Sequence, residues 1–417
     1  MISKESVSPL APKKFPSLPD VAGVRLATGT CGIKYQGRTD VFLADFHAGT
    51  SVAGTLTKSQ TASAPVLWCK EILENNGARG LIVNAGNANA FTGNHGVKAV
   101  EHTVKAVSSA LTCSPSEVFV ASTGVIGEPL AYDRIIENLG EICQNLLPAK
   151  SQELWENAAK AIMTTDTFPK GSGKIAKIGR SEVGISGICK GSGMIAPDMA
   201  TMLCFIFTDA KIPSTVLQEL LSSSVERSFN SITVDSDTST SDTVLAFATG
   251  AGASHSTISS SKDPELRGFK SALDAVLLDL AHQVVRDGEG ASKFVSITVM
   301  SAADDNAARR IGLSIANSPL VKTAIAGQDA NWGRVVMAIG KAGDNIESNK
   351  LSIAIGGVRI AQFGAVIEGY SEPPVSEHMK GQDIIIEVDV GVGDGCATVW
   401  TCDLTHGYID INADYRS

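Results

Sequence analysis

The segment Gly191–Ala200 holds two glycines and a proline and runs through Thr201 directly into Met202-Leu203-Cys204-Phe205-Ile206-Phe207, an unbroken apolar stretch. The leading segment reads as a loop with wide backbone freedom, and the stretch after it as a short buried strand. A threonine thus begins a rigid element at the end of a pliable one. Breaking the peptide bond before it would give Thr201 a free α-amine beside its own hydroxyl, a recognised way of activating a weak oxygen nucleophile. The break would divide the chain into residues 1–200 and 201–417.

Composition limits the alternatives. A chain of 417 residues, 43% hydrophobic and 19% charged, can bury a large core, and its length implies two or three folding units. A net charge of −9 without a basic stripe argues against nucleic acid as a partner. No apolar run reaches membrane-spanning length, and the first twenty residues lack the apolar core of a secretory signal. The eight cysteines contain no C-x-x-C pair, which fits reduced thiols better than a disulfide frame or a zinc site. A cytoplasmic location is the default expectation.

Mixed α and β patterning runs from end to end. Strands are expected at 80–83, 118–121, 202–207, 244–247, 294–300, 351–355, 384–388 and 397–402, and helices at 65–75, 132–146, 152–163, 214–228, 265–285 and 305–315. The Ser- and Gly-rich stretch 254–261 reads as a surface excursion between units.

Several familiar motifs fail on inspection. Lys170-Gly171-Ser172-Gly173-Lys174 resembles the end of a phosphate loop, but Phe168 replaces the first glycine and Ile175 the magnesium-binding hydroxyl residue. Asp235-Ser236-Asp237 with Asp242 resembles a calcium loop, yet Thr240 stands at the glycine position and Ala246 at that of the closing glutamate. The histidines form no H-E-x-x-H, so no metal ligand set is expected, and there is no G-x-S-x-G elbow. With the serine and metal routes to acyl chemistry missing, the threonine at the junction gains weight. Ser122-Thr123-Gly124 follows an expected strand and reads either as an oxyanion hole, with N–H and O–H groups aimed into one small space, or as an ordinary glycine turn. The polar glycine-bearing stretches at 84–89, 287–290 and 329–334 are equally open between lining a site and turning the chain.

The order of these pieces is more specific than any one of them. Lys190-Gly-Ser-Gly-Met-Ile-Ala-Pro-Asp-Met-Ala-Thr201-Met-Leu, preceded by Ser122–Glu128 and Met163-Thr-Thr-Asp-Thr167, closely resembles the glutamate N-acetyltransferase (ornithine acetyltransferase) family of arginine biosynthesis. Asp287-Gly-Glu-Gly-Ala-Ser-Lys293, Gln328–Arg334 and Ile411–Ser417 continue the resemblance across nearly the whole chain.

The resemblance implies a mixed α/β protein of stacked β-sheets flanked by helices, amino-terminal-nucleophile-like in architecture. It implies a precursor that cuts itself between Ala200 and Thr201 into an α chain (1–200) and a β chain (201–417), assembled as (αβ)₂ or larger. Thr201 is then the nucleophile, carrying acetyl from N2-acetylornithine to glutamate in ping-pong order. Its own amine, with an ordinary pKa of about 7.7–8.0, serves as base. Thr123 and Gly124 match the oxyanion pair. Substrate contacts map to Thr164, Lys190, Thr201, Glu289, Asn412 and Ser417, with Thr165 the alternative to Thr164. By charge, Lys190 suits a substrate carboxylate and Glu289 the ornithine ammonium. Asp198 departs from the asparagine more usual in the family and adds a carboxylate near the nucleophile. No cofactor is implied; acetyl-CoA enters only as the second donor of bifunctional members. The nearest rival is an amidase or aminopeptidase of similar architecture, in which water takes the acyl group.

Overall fold

The structure, a computed structural model, describes residues 7–34, 36–196 and 202–413. Two sheets with helices on their faces give the mixed α/β architecture expected from the pattern of short apolar runs and amphipathic stretches. The larger sheet is built from β1 (Val24–Gly29), β2 (Val41–Leu56), β3 (Gly77–Asn87), β4 (Val118–Val125), β5 (Leu147–Pro148), β6 (Lys170–Ile178), β7 (Ser181–Lys190), β8 (Leu203–Thr208) and β9 (Thr243–Ala248). Its main path runs β4-β3-β2-β9-β8-β7-β6, with β1 also paired to β2. All six residues of β8 are buried, as the apolar run after the junction requires.

This order has a direct bearing on the junction. β7 and β8 are antiparallel neighbours, with Lys190 opposite Leu203 and Ile185 opposite Thr208. The segment between them is therefore the connection of two hydrogen-bonded strands. β8 and β9, which follow residue 201, lie between β2 and β7, which precede it. The two halves of the sequence share one sheet, and their strands are interleaved.

The larger sheet is strongly curled. Five strand spacings separate β4 from β7, which in a flat sheet would be about 24 Å. Yet Lys190 at the end of β7 reaches Thr123 in β4, Nζ to Oγ1, at 3.4 Å. The inside of the curl is aromatic, with Phe42, Phe46, Phe119, Phe205, Phe207 and Phe247 packed together, and Phe46 stacked on Phe247 at 4.4 Å. Trp155 of α4 (Gln152–Ala161) and Cys69 of α1 (Ala64–Ile72) close it. Outside, α2 (Gly93–Leu111) and α3 (Tyr132–Gln144) cover the β2–β4 half, while α5 (Ser214–Glu226) and α6 (Arg267–Arg286) cover the β6–β9 half.

The smaller sheet comprises β10 (Phe294–Ala302), β11 (Ser352–Ile355), β12 (Val358–Gln362), β13 (Ala365–Val366), β14 (Asp383–Asp389) and β15 (Gly395–Cys402), in the order β13-β12-β11-β14-β10-β15. Its core is shared with α7 (Asp305–Ala316), α8 (Pro319–Ala326), α9 (Trp332–Gly340) and α10 (Pro373–Met379), and the short α11 (His406–Asn412) follows β15. The stretch 254–261 is a largely exposed loop joining β9 to α6, with only Ile258 buried. All eight cysteines are free thiols. Among the described residues no helix is long and apolar enough to cross a membrane.

α6 ties the two sheets together through His282, whose ring packs edge-on against Phe294 at 5.1 Å and Trp400 at 4.6 Å. Its Nε2 has no hydrogen-bond partner among the described residues. Burial, reinforced by Arg286, lowers the His282 pKa from 6.5 to about 4. The unfolded chain thus binds this proton more readily, and stability falls as pH drops from the unfolded value through the folded one. The cost at pH 4 is roughly 3 kcal/mol. Replacing His282 with phenylalanine is expected to flatten that part of the stability curve, measured by urea denaturation between pH 7 and pH 4.

Candidate active site

A cavity of about 250 Å³ opens where β4, β7 and the segment before β9 converge. Thr123, Gly124, Thr164, Lys190, Glu289 and Asn412, drawn from separate stretches of sequence, all line it, and so does Thr165, the alternative to Thr164. Ala200, Thr201, Asp198 and Ser417 lie outside the described residues. The cavity nonetheless touches Gly193 and Met194 on the approach to the junction and Ser239, Thr240 and Ser241 across from them.

Thr123 and Gly124 end β4 in parallel register with Ala85 and Gly86 of β3. Gly124 has φ +129°, and a Cβ there would stand 2.3 Å from the Gly86 carbonyl carbon, so only glycine fits. The asparagine-rich stretch at the end of β3 is the support for this corner. Ser122 donates its hydroxyl to Asn84 Oδ1 at 2.6 Å, Asn84 Nδ2 donates to the Asn87 carbonyl at 2.9 Å, and Asn89 N–H donates to Asn87 Oδ1 at 2.8 Å. These asparagines stiffen the strand ends, and Ala88 alone of that stretch lines the cavity.

Lys190 is buried, and burial pushes its pKa below the ordinary lysine value against the opposing pull of Asp166. Asp166 accepts from Gly191 N–H at 2.6 Å, from Thr164 N–H at 3.0 Å and from Lys170 Nζ at 2.6 Å. Lys170 also reaches Asp287 at 2.5 Å, and all three side chains of this cluster are fully buried. Asp287 receives Thr167 N–H at 2.9 Å and stands two residues before Glu289. Lys170 thus belongs to an ion cluster beneath the cavity, at the start of β6.

Glu289 accepts from Asn412 Nδ2 at 2.7 Å. Burial raises its carboxyl above the usual glutamate value, offset by the hydrogen bonds of Asn412 and Thr165. The Thr165 hydroxyl also meets Ser192 Oγ at 2.7 Å, whereas that of Thr164 has no hydrogen-bond partner among the described residues.

Sequence reading gave no role to the acids that hold the junction. Asp235 accepts from Met194 N–H at 2.7 Å and Ile195 N–H at 2.8 Å, just before the undescribed residues, and Tyr408 of α11 donates to it at 3.2 Å. Asp242 accepts from Met202 N–H at 3.0 Å, just after them. The stretch that imitates a calcium loop in sequence therefore clamps both ends of the junction segment. Gln328–Arg334, part of the family resemblance, runs from the end of α8 into the first turn of α9 and does not line the cavity.

A family model described as the ArgJ family matches residues 25–417. The arginine biosynthesis bifunctional protein ArgJ of Gluconobacter oxydans is 57% identical over 411 residues, covering 99% of this chain and 96% of its own. Its namesake from Bradyrhizobium diazoefficiens is 56% identical over 414 residues, covering 99% of each. A crystal structure of the Bacillus halodurans protein of that name is 40% identical, with a TM-score of 0.48, covering 50% of this chain and 97% of its own.

Proposed function

Because the chain belongs to the ArgJ family, we propose that it is a glutamate N-acetyltransferase of arginine biosynthesis that cuts itself between Ala200 and Thr201 and carries acetyl from N2-acetylornithine to glutamate on the Thr201 hydroxyl. The observation that carries this reading is the cavity: polar residues from distant stretches line it at the paired ends of β7 and β8 that the junction connects. The interleaving of strands supports the idea that cleavage leaves the halves together, since β8 stays hydrogen-bonded between β7 and β9. Assembly as (αβ)₂ or larger, in the cytoplasm, belongs to the same proposal.

In this reading the new α-amine of Thr201 takes the hydroxyl proton as Oγ attacks the acetyl carbonyl. The Thr123 hydroxyl and Gly124 N–H bear the charge that develops on the carbonyl oxygen. Ornithine leaves, and the amine of glutamate attacks the ester from the same side. Lys190 holds the carboxylate common to both substrates, and Glu289 holds the δ-ammonium that only acetylornithine has. The word bifunctional in the relatives' name extends the proposal to acetyl-CoA as a second donor to the same hydroxyl.

Incubation of purified protein with acetylornithine, with and without glutamate, tests this. Ornithine release that depends on glutamate and matches acetylglutamate formation is expected, with parallel lines in double-reciprocal plots. Equal release without glutamate would make the protein an amidase. Glu289→Gln keeps the acceptor for Asn412 but removes the charge. It is expected to lower kcat/KM for acetylornithine roughly 10- to 100-fold, the worth of a charge-assisted hydrogen bond. The KM for glutamate, whose side chain is itself anionic, should not rise with it. Steady-state kinetics varying each substrate in turn would check both.

A further inference from the structure

We propose that Gly193 is a specificity-determining residue: its lack of a side chain is what seats the Glu289 carboxyl on the wall of the cavity, where it takes the ammonium of the donor. The inference rests on the reading of acetylornithine as donor and adds the residue that sets where its charged end is recognised. Gly193 and Glu289 both line the cavity, although one precedes the junction and the other follows it. A Cβ on Gly193 would stand 2.5 Å or less from Oε1, Oε2 and Cδ of Glu289, and these are its three nearest atoms. The carboxyl therefore fills the space that any side chain would need. Backbone conformation is not the reason for glycine here, since Gly193 has none of the positive φ seen at Gly124 and Gly290.

Both backbones are anchored. Glu289 N–H donates to the Ser192 carbonyl at 3.0 Å, and Ala291 N–H closes a turn on the Gly288 carbonyl at 2.8 Å. Gly290 has φ +72° at the third position of that turn, as a type II turn requires, and a Cβ on it would stand 2.5 Å from Tyr408 N. On the other side Ser192 Oγ meets Thr165 Oγ1 at 2.7 Å, while the Met194 and Ile195 N–H groups are held by Asp235 at 2.7 and 2.8 Å. Gly193 thus sits between two fixed neighbours. A side chain added there is relieved by swinging the Glu289 carboxyl away.

The consequence falls on one substrate. Glu289 Oε2 accepts from Asn412 Nδ2 at 2.7 Å, which orients the carboxyl over Gly193. Lys190, assigned to the carboxylate shared by both substrates, reaches Thr123 at 3.4 Å, and none of its atoms is among the three nearest to the added Cβ. Displacing the Glu289 carboxyl therefore removes recognition of an ammonium, which the donor carries on its side chain and glutamate does not. The displaced group is the far end of a flexible side chain, so the fold should survive the change.

The test compares wild type, Gly193→Ala, Glu289→Gln and the double variant in steady-state kinetics, varying acetylornithine and glutamate in turn. In a ping-pong reaction kcat/KM for each substrate reports only the half-reaction that consumes it. Gly193→Ala is expected to lower kcat/KM for acetylornithine roughly 10- to 100-fold, as Glu289→Gln does, because both lose the same charge-assisted contact. The value for glutamate should be unchanged. The double variant should be no worse than the poorer single one, since a contact already lost cannot be lost again. Wild-type kinetics in Gly193→Ala would overturn the inference. So would equal losses in the two half-reactions, losses that multiply in the double variant, or a Gly193→Ala chain that is not cut, each of which gives Gly193 another part. A wild type that releases no ornithine from acetylornithine would instead remove the reading on which the inference rests.

Discussion

Replacing Thr201 with alanine is expected to leave one uncut polypeptide of 417 residues, folded as the wild type is, with acetyl transfer reduced by roughly 10⁴-fold or more. The size of the effect follows from the double duty of this residue. Its hydroxyl is the only group the proposal gives for attack on the Ala200 carbonyl, so its loss stops cleavage. It is also the group that would carry the acetyl, so supplying cut chains by another route would not restore activity. The fold should survive because the connection replaced joins strands that pair on their own account, from Lys190 opposite Leu203 to Ile185 opposite Thr208. Two near-equal bands from wild type and one from the variant, with coincident circular dichroism, is the outcome to look for. A cut Thr201→Ala protein would place the nucleophile elsewhere.

Much of this molecule can be read from its residues; β1, β2, α8 and α9 are among the elements not foreseen, and some of the failures share a physical cause. Strands whose apolar runs are continuous, such as β8, β9, β10 and β14, match expectation to within a residue or two at each end. β6 and β7 are not foreseen, because Gly171, Gly173, Gly184 and Gly187 interrupt their patterns as loop residues would. The glycines are there for close approach. A Cβ on Gly171 would lie 2.5 Å from Phe15, one on Gly173 2.4 Å from Pro19, and one on Gly184 2.4 Å from the Asp20 carbonyl oxygen, so the N-terminal arm lies directly on these strands. Such contacts join residues more than 150 positions apart and leave no local pattern. α2 is missed for a similar reason, since it opens with Gly93-Asn94-His95-Gly96, which reads as a turn.

The site divides in the same way. Thr123, Gly124, Thr164, Lys190, Glu289 and Asn412 follow from motif order, and the structure brings them to one cavity. The carboxylates at Asp166, Asp235, Asp242 and Asp287 act on backbone N–H groups and on a buried lysine, and their importance comes from burial. A sequence shows that a carboxylate is present but not that water is excluded from it. That exclusion comes from tertiary packing, of which the curl that places Lys190 against Thr123 is one part.

Lys170→Met is the second change with a large expected effect, because it keeps the length of the side chain and removes the cation from between two buried carboxylates. Asp166 and Asp287 have no exposed side-chain surface, and Lys170 reaches them at 2.6 and 2.5 Å. Despite burial, the Lys170 and Lys190 charges and the Thr164 N–H hold the Asp166 carboxyl well below its usual range, while at Asp287 burial outweighs Lys170 and the pKa rises. One lysine faces two carboxyls, and of the two Asp166 is favoured as the anion. Removing Lys170 leaves that charge facing Asp287 in a medium of low dielectric. Loss of one partner from a buried pair costs about 3–5 kcal/mol, seen as a lower denaturant midpoint. Converting both aspartates to asparagine in the Lys170→Met background should recover much of the loss, because the penalty comes from the stranded carboxylates. Activity should not recover with it. Asp166 fixes Thr164, which lines the cavity, and Gly191 beside Lys190, Asp287 stands two residues before Glu289, and Lys170 joins a residue before the junction to one after it. A triple variant that regains stability and remains impaired in acetyl transfer would separate the cluster's part in positioning the site from its part in holding the fold.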